Sequence, residues 1–361
     1  MRTSFGYKNI LVYRTGHLGD TITALPAFWA IRKRFPDAKI SLLTNSDSKN
    51  PHYVMAKNVL PEQGMFDTYL IYTNPPEKLK KALSLTRLFF DLKRKKFDCL
   101  FYLSTRLRIQ SQIERDLKFF RSTGITEIFG TDHLKKNNLN FENSRPLPMV
   151  EPEYRFLLDC LPFETGGQIS GCDHDLALTG WEKNKAREWL GDKCGKDFEN
   201  KKLIAVAPGS KWESKKWFEV RFVEVLRRLV YKYDVFPIIF GGKEDFLIGQ
   251  SILSNFRKGA NAAGELNIRE AAAAIKYCKL YLGNDTGTMH LAAAAGTPCI
   301  GIFAAIDYPG RWYPFGEHNK IFRYQVECEG CHTPVCFNEH KCLEMISASE
   351  VFSACCEILD R

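Results

Sequence analysis

No run in this sequence stays apolar for the roughly 20 residues that a membrane-spanning helix requires. Met1 to Lys8 also lacks the apolar core of a secretory signal, so a soluble, cytoplasmic protein is expected. Internal repeats and low-complexity tracts are absent, which excludes solenoid and fibrous architectures. There is no G-x-x-x-x-G-K-[ST], and hence no P-loop for phosphoryl transfer. The dinucleotide spacing G-x-G-x-x-G is missing as well, so a nicotinamide cofactor is disfavoured. Acidic residues are scarce in one place: between Lys78 and Arg121 thirteen Lys or Arg face four Asp or Glu, an excess that equals the net charge of +9. Such a segment is either a solvated helical face or a surface for an anionic partner, whether nucleic acid, membrane or phosphorylated acceptor.

What is present is α/β alternation in two halves. With 361 residues and 45% hydrophobic content the chain can bury two cores. Asn9 to Thr15 reads as a central strand ending in Gly16-His17-Leu18-Gly19-Asp20, and Pro26 opens a helix closed at Phe35-Pro36. Strands are expected at Lys39 to Thr44, Thr68 to Tyr72, Asp98 to Leu103 and Glu127 to Gly130. Asp132 to Glu153, rich in Asn and broken by three prolines, reads as a long loop, Tyr154 to Leu161 as a helix, and Thr165 to Leu178 as the crossover. The second half has strands at Leu203 to Ala207, Val235 to Phe240 and from Leu280, with helices at Trp217 to Tyr231 and after the capping residue Asn267. The expected architecture is two Rossmann-like domains facing across a cleft: 1–175, 176–345, and a final helix in 346–361 packing back on the first domain.

The turn Gly283-Asn284-Asp285-Thr286-Gly287 joins a buried strand to a helix of small residues, where unpaired amides and the helix dipole favour an anion, above all a phosphate. Ser210, Lys211 and Lys215 lie on another loop at the same sheet edge, and Glu244 follows a double glycine where it suits ribose hydroxyls. Thr286 with the amides of Gly287 and Thr288 can close around phosphate oxygens. A carboxylate beside a phosphate would repel it, so Asp285 holds sugar hydroxyls or tethers Lys215. His290 either contacts ligand or packs at the helix start. Asp20 acts on a ligand or caps the following helix.

Twelve cysteines occur. Cys99, Cys160, Cys172, Cys194, Cys278 and Cys299 are scattered and read as buried reduced thiols. Cys328, Cys331, Cys336 and Cys342 run C-x2-C-x4-C-x5-C with His332 and His340 between them; they hold a structural zinc or simply order a loop.

Three pieces, G-H-L-G-D-T-I-T-A-L-P-A from Gly16, A-P-G-S-K-W-E-S-K-K-W from Ala207 and G-N-D-T-G-T-M-H-L-A-A-A-A-G-T-P from Gly283, resemble the signature of the ADP-heptose:lipopolysaccharide heptosyltransferases, glycosyltransferase family 9. The resemblance implies a GT-B fold and an inverting, metal-independent transfer of heptose from ADP-heptose to the lipopolysaccharide inner core, with no cofactor needed for catalysis. It makes Asp20 the general base. Ser210, Lys211, Lys215, Glu244, Asp285, Thr286, Gly287, Thr288 and His290 become donor contacts. Gly19, Lys93, Arg94, Lys95, Lys96, Arg106 and Arg108 would face an anionic glycolipid acceptor at the inner face of the plasma membrane, and no nucleic acid is expected. Lys211 stands where many members have a hydroxyl residue, and Asn284 where a small apolar residue is common. The alternatives are a family member using another nucleotide sugar or acceptor, a GT-B sugar-nucleotide epimerase, and a zinc-bearing nucleic-acid-binding protein.

Overall fold

The computed structural model describes residues 6–47, 50, 53–73, 75, 77–141, 145–165 and 174–361. Cys172 and most of the expected crossover lie outside them. The chain forms two compact units, one from Met1–Asn140 and Glu153–Asp173, the other from Phe141–Pro152 and His174–Arg361. The chain therefore leaves the first unit at 140, contributes a short segment to the second, and returns before the final crossing.

The first unit is a five-stranded parallel sheet in the order β3-β2-β1-β4-β5: β1 (Asn9–Tyr13), β2 (Lys39–Ser46), β3 (Thr68–Thr73), β4 (Cys99–Tyr102) and β5 (Glu127–Phe129). Ile10, Leu11 and Val12 are fully buried, as a central strand covered on both faces requires. Its helices are α1 (Leu18–Thr23), α2 (Leu25–Arg34), α3 (Lys78–Lys95), α4 (Gln110–Ser122), α5 (Thr131–Lys136) and α6 (Glu153–Asp159). The basic segment thus supplies two helices on either side of β4. Part of the stretch read as a long loop is helical: Gly130, at a φ of 93°, lets the chain turn directly into α5, whose Leu134 is buried.

The second unit is a six-stranded parallel sheet ordered β11-β10-β9-β6-β7-β8: β6 (Leu203–Ala207), β7 (Phe236–Ile239), β8 (Ala260–Asn261), β9 (Leu280–Asn284), β10 (Cys299–Ile302) and β11 (Lys320–Phe322). The helices are α7 (Gly180–Cys194), α8 (Glu219–Tyr233), α9 (Phe246–Leu253), α10 (Ile268–Ile275), α11 (Gly287–Ala294), α12 (Lys341–Glu344) and α13 (Ala348–Leu359). Asn267 caps α10, accepting from the amides of Arg269 and Glu270, while Glu270 reaches back to the Asn267 amide.

The terminal helix is a correction to the expectation. Val351, Ala354 and Cys355 of α13 join the second unit's own core beside Phe222, Leu226 and Leu229 of α8, and the Arg228 guanidinium stacks on Phe352 at 3.9 Å. An apolar stripe must bury somewhere, and α8 offers the complementary one. Among the described residues no helix is long and apolar enough to cross a membrane.

Candidate active site

In a parallel sheet the strand ends and following helix starts gather on one edge, where free amides and polar side chains collect. In the first unit that edge holds Asp20. His17 is the N-cap of α1 and Asp20 its third residue; Asp20 Oδ2 accepts the His17 amide at 2.9 Å. The capping account of Asp20 is therefore met in part, yet its side chain is still 24% exposed. Arg14, just past β1 and 2% exposed, sets the rest: its Nε donates to the Asp20 carbonyl at 3.1 Å, Nη1 to the Leu103 carbonyl at 3.2 Å, and Nη2 lies 3.5 Å from Asp20 Oδ1. Glu153, fully buried on α6, lies 3.8 Å from the same guanidinium. Gly16 is required here, because it adopts a φ of +135° and a β-carbon on it would collide with the Asp20 carboxylate. Tyr53 buttresses the turn, its hydroxyl 2.6 Å from the Gly16 carbonyl and 2.8 Å from Asn45 Oδ1. Burial, and then the charge of Asp20, push that hydroxyl up to about 12, so it remains protonated at neutral pH.

In the second unit three strand-end loops converge. Asn284, fully buried at the end of β9, donates from Nδ2 to the Pro208 carbonyl at 2.7 Å and accepts the Trp217 amide at 3.1 Å, so one side chain pins both ends of the loop carrying Ser210, Lys211 and Lys215. The Lys215 ammonium donates to Asp285 Oδ2 at 2.5 Å, which fulfils the tethering reading of Asp285. Thr286 is the N-cap of α11, so the amides of Gly287 and Thr288 precede its first intrahelical bonds. His290 is buried one turn further on with Trp312 6.1 Å away, which favours packing. Asp307 accepts from Trp312 Nε1 at 2.8 Å and pairs with buried Arg311 at 3.0 Å. Its burial alone would raise its carboxyl, but Arg311, Trp312, the Tyr308 amide and the charge of Lys215 outweigh this and hold it below the usual range.

Glu244 and Lys211 are exposed at the rim. The acid that the double glycine delivers inward is Asp245, which sequence reasoning passes over: it accepts the Gly242 amide at 3.0 Å, and its carboxylate fills the space where a β-carbon of Gly209 or Gly241 would stand. The signal is the pair of glycines on separate loops, legible only once β6 and β7 are known to be neighbours.

Two acceptor candidates are corrected. Arg106 is buried with its guanidinium over Phe156 at 4.6 Å, and Arg108 is paired with Asp116, so both serve the interior of the first unit. Lys93, Arg94 and Lys96 are exposed and Lys95 partly so, while Gly19 is half-buried within α1.

The cysteine loop straps the turn at Glu213 and Ser214. Ser214 donates from its amide to the Pro334 carbonyl at 3.1 Å and from Oγ to the Thr333 carbonyl at 2.5 Å, the Cys336 amide donates to Glu213 Oε2 at 3.0 Å, and His340 Nε2 meets Glu213 Oε1 at 2.8 Å. The sulfurs of Cys328, Cys331 and Cys336 accept from Asn338, Thr333 and the His340 amide respectively. Burial pushes the Cys342 thiol up, against a lowering hydrogen bond from the Ala305 backbone. Among the described residues, however, no three of these ligand atoms lie within 4.8 Å of one another. Of the scattered cysteines, Cys99, Cys160, Cys194, Cys278 and Cys299 are free and buried, as expected.

The glycosyltransferase family 9 (heptosyltransferase) model matches residues 86–342, more than half of the chain. The chain belongs to this family. It is a glycosyltransferase. Lipooligosaccharide heptosyltransferase 2 of Campylobacter jejuni is 24% identical over 350 residues, covering 95% of each chain. Lipopolysaccharide heptosyltransferase 3 of Escherichia coli is 24% identical over 320 residues, covering 83% of each. Among solved structures, a family 9 glycosyltransferase from Veillonella parvula superposes with a TM-score of 0.75 at 19% identity, covering 98% of this chain and 97% of that one. E. coli ADP-heptose lps heptosyltransferase II gives 0.67 at 17%, covering 97% and 98%. The two parallel-sheet units are therefore those of the GT-B fold, as expected of the family.

Proposed function

We propose that this family 9 glycosyltransferase moves a heptose from ADP-heptose to a sugar of the lipopolysaccharide inner core, with inversion at the anomeric carbon and without a catalytic metal. The observation that carries the reading is the Asp20 carboxylate: partly exposed at a strand end, and held from two sides by the His17 amide and Arg14. The acceptor hydroxyl loses its proton to Asp20 as its oxygen forms the bond to the anomeric carbon, and the bond from that carbon to the diphosphate oxygen breaks on the opposite face. Charge accumulates on the departing ADP. Lys215 and the amides of Gly287 and Thr288 are fixed before reaction and supply stabilisation without reorganising. Ser210, Lys211 and Thr286 complete the donor side, with Glu244 or Asp245 at the ribose.

The acceptor is proposed to be an anionic glycolipid met from the cytoplasmic side of the inner membrane, its phosphates drawn by Lys93, Arg94, Lys95 and Lys96. A structural zinc on Cys328, Cys331, Cys336 and Cys342 is proposed as well: soft thiolates suit it, and binding would have to draw the four sulfurs closer together than they stand here. Bound there it would stiffen the strap under Glu213 and Ser214. Elemental analysis tests this: less than about a tenth of an equivalent of metal removes the site.

Incubation with a nucleotide-sugar panel and a truncated core glycolipid tests the main reading. Transfer from ADP-heptose that is abolished in Asp20→Ala, with ADP binding by calorimetry retained, is expected. Near wild-type turnover of that variant removes Asp20 from the mechanism, and selectivity for a UDP-sugar replaces the donor.

A further inference from the structure

Helix α3 is 18 residues long, yet it buries only Leu88 and Leu92. On the side of the helix opposite that pair runs a second apolar stripe. Leu79, Leu83, Thr86 and Phe90, spaced by four, three and four residues, share one face. Leu79 is 75% exposed, Leu83 63% and Phe90 62%. Along the flanks stand Lys80, Arg87, Lys93 and Arg94, and the whole helix carries seven cations against the single acid Asp91. Asp91 pairs with Arg94 at 3.3 Å, Glu77 lies 3.8 Å from Lys80, and the Lys93 ammonium sits over the Phe89 ring. Lys78, Lys81 and Arg87 are exposed as well. A helix that needed only solubility would place polar residues where Leu79, Leu83 and Phe90 stand.

We propose that this outward face of α3 is a docking surface for an anionic phospholipid bilayer, with Leu79, Leu83 and Phe90 entering the headgroup boundary and the flanking Lys and Arg holding lipid phosphates. The pattern is that of a helix lying in the membrane plane: an apolar strip bordered by basic side chains whose charged ends reach the phosphates while their stems cover apolar surface. A nucleic acid would use the charges and leave the apolar strip stranded in water. A second copy of the chain would bring two such rows of cations together, which like-charge repulsion opposes. Lipid satisfies both parts of the pattern. The inference rests on the proposed reading only in that the acceptor is lipid-borne, and it places the contact on apolar side chains as well as on charge.

Co-sedimentation of the full chain with vesicles free of glycolipid tests the surface by itself. Binding to phosphatidylglycerol/phosphatidylcholine vesicles and much weaker binding to phosphatidylcholine alone is expected. The double variant Leu83→Ser, Phe90→Ser should lower the partition coefficient about tenfold or more while keeping calorimetric ADP affinity and melting temperature. Lys80→Glu with Arg87→Glu should abolish the preference for anionic lipid. In the Phe90→Trp variant, the emission that exceeds the wild-type spectrum should shift to the blue only with anionic vesicles. Equal weak binding to both vesicle types, serine variants that bind like wild type, or an unshifted emission from the Phe90→Trp variant overturns the proposal. So does a vesicle-free dimer that the serine variant converts to monomer. Transfer to a delipidated acceptor fragment separates the two readings: transfer without vesicle binding leaves the activity standing and removes the surface, and the converse leaves the surface and removes the activity.

Discussion

Arg14 grips Asp20 by both its backbone and its side chain: Nε donates to the main-chain carbonyl at 3.1 Å, and Nη2 stands 3.5 Å from Oδ1. A planar guanidinium can do this and also donate to the Leu103 carbonyl on the neighbouring strand connection, whereas an ammonium on a single flexible stem cannot. Arg14 is thus a positioning residue for the proposed base.

Replacing Arg14 should therefore separate turnover from binding. Arg14→Met is expected to lower kcat by about tenfold or more with little change in donor KM or ADP affinity, and Arg14→Lys to recover part of the loss. Steady-state kinetics with calorimetry on the same preparations would check this. A parallel fall in ADP affinity would show that the second unit has been disturbed and that Arg14 is merely structural.

Lys215 and Asp285 act as a pair, and the pair makes its own prediction. Lys215→Met removes the cation proposed to meet the diphosphate, so ADP affinity should fall about tenfold or more, and the salt dependence of binding should flatten. Asp285→Asn keeps the shape but loosens the tether, so its effect should be smaller and should vanish in the Lys215→Met background. Calorimetry at two ionic strengths on all four proteins measures that coupling.

The division between what can and cannot be foreseen from the residues follows from the range of each interaction. Strands β1, β6 and β9 are visible because central parallel strands are apolar on both faces, and Asn267 because a capping box is complete within four residues. Charge logic leaves Asp285 two roles, holding sugar hydroxyls or tethering Lys215, and only the folded ion pair displays the second. Asp245 is invisible, since its place depends on loops after β6 and β7 being adjacent. Arg106 and Arg108 mislead for the related reason that a cation in a basic run looks the same whether it faces water or an internal partner such as Phe156 or Asp116. The terminal helix is misplaced because its stripe says that it packs and not where.

Asn284 tests how far a buried amide can hold a loop in shape. Asn284→Ala leaves the Pro208 carbonyl and the Trp217 amide without their partner in a region that water does not reach. A loss of about 2 kcal/mol or more in unfolding free energy is expected, with weaker ADP binding because Ser210 and Lys215 ride on the released loop. Urea denaturation and calorimetry check both parts. Unchanged stability would mean that the loop is held chiefly by Ser214 and the cysteine strap.

Acid should find the Asp307–Arg311 pair. Its folded carboxyl lies below the ordinary value of 3.8, because Arg311, Trp312 and the Tyr308 amide together outweigh the opposing effect of burial. A depressed folded value means that the unfolded chain binds the proton more readily, so the contribution is complete above the unfolded value and is lost as pH falls through the folded one. Wild-type unfolding free energy should thus decline from about pH 5 downward. Asp307→Asn should remove part of that slope. It should also cost stability at neutral pH, on the order of 3–5 kcal/mol, since Arg311 is left buried without a countercharge. Urea titrations of both proteins at neutral pH and near pH 4 would measure the two effects together. A variant as stable as wild type at neutral pH, with the same acid slope, would show that Trp312 and the surrounding backbone alone keep Arg311 solvated.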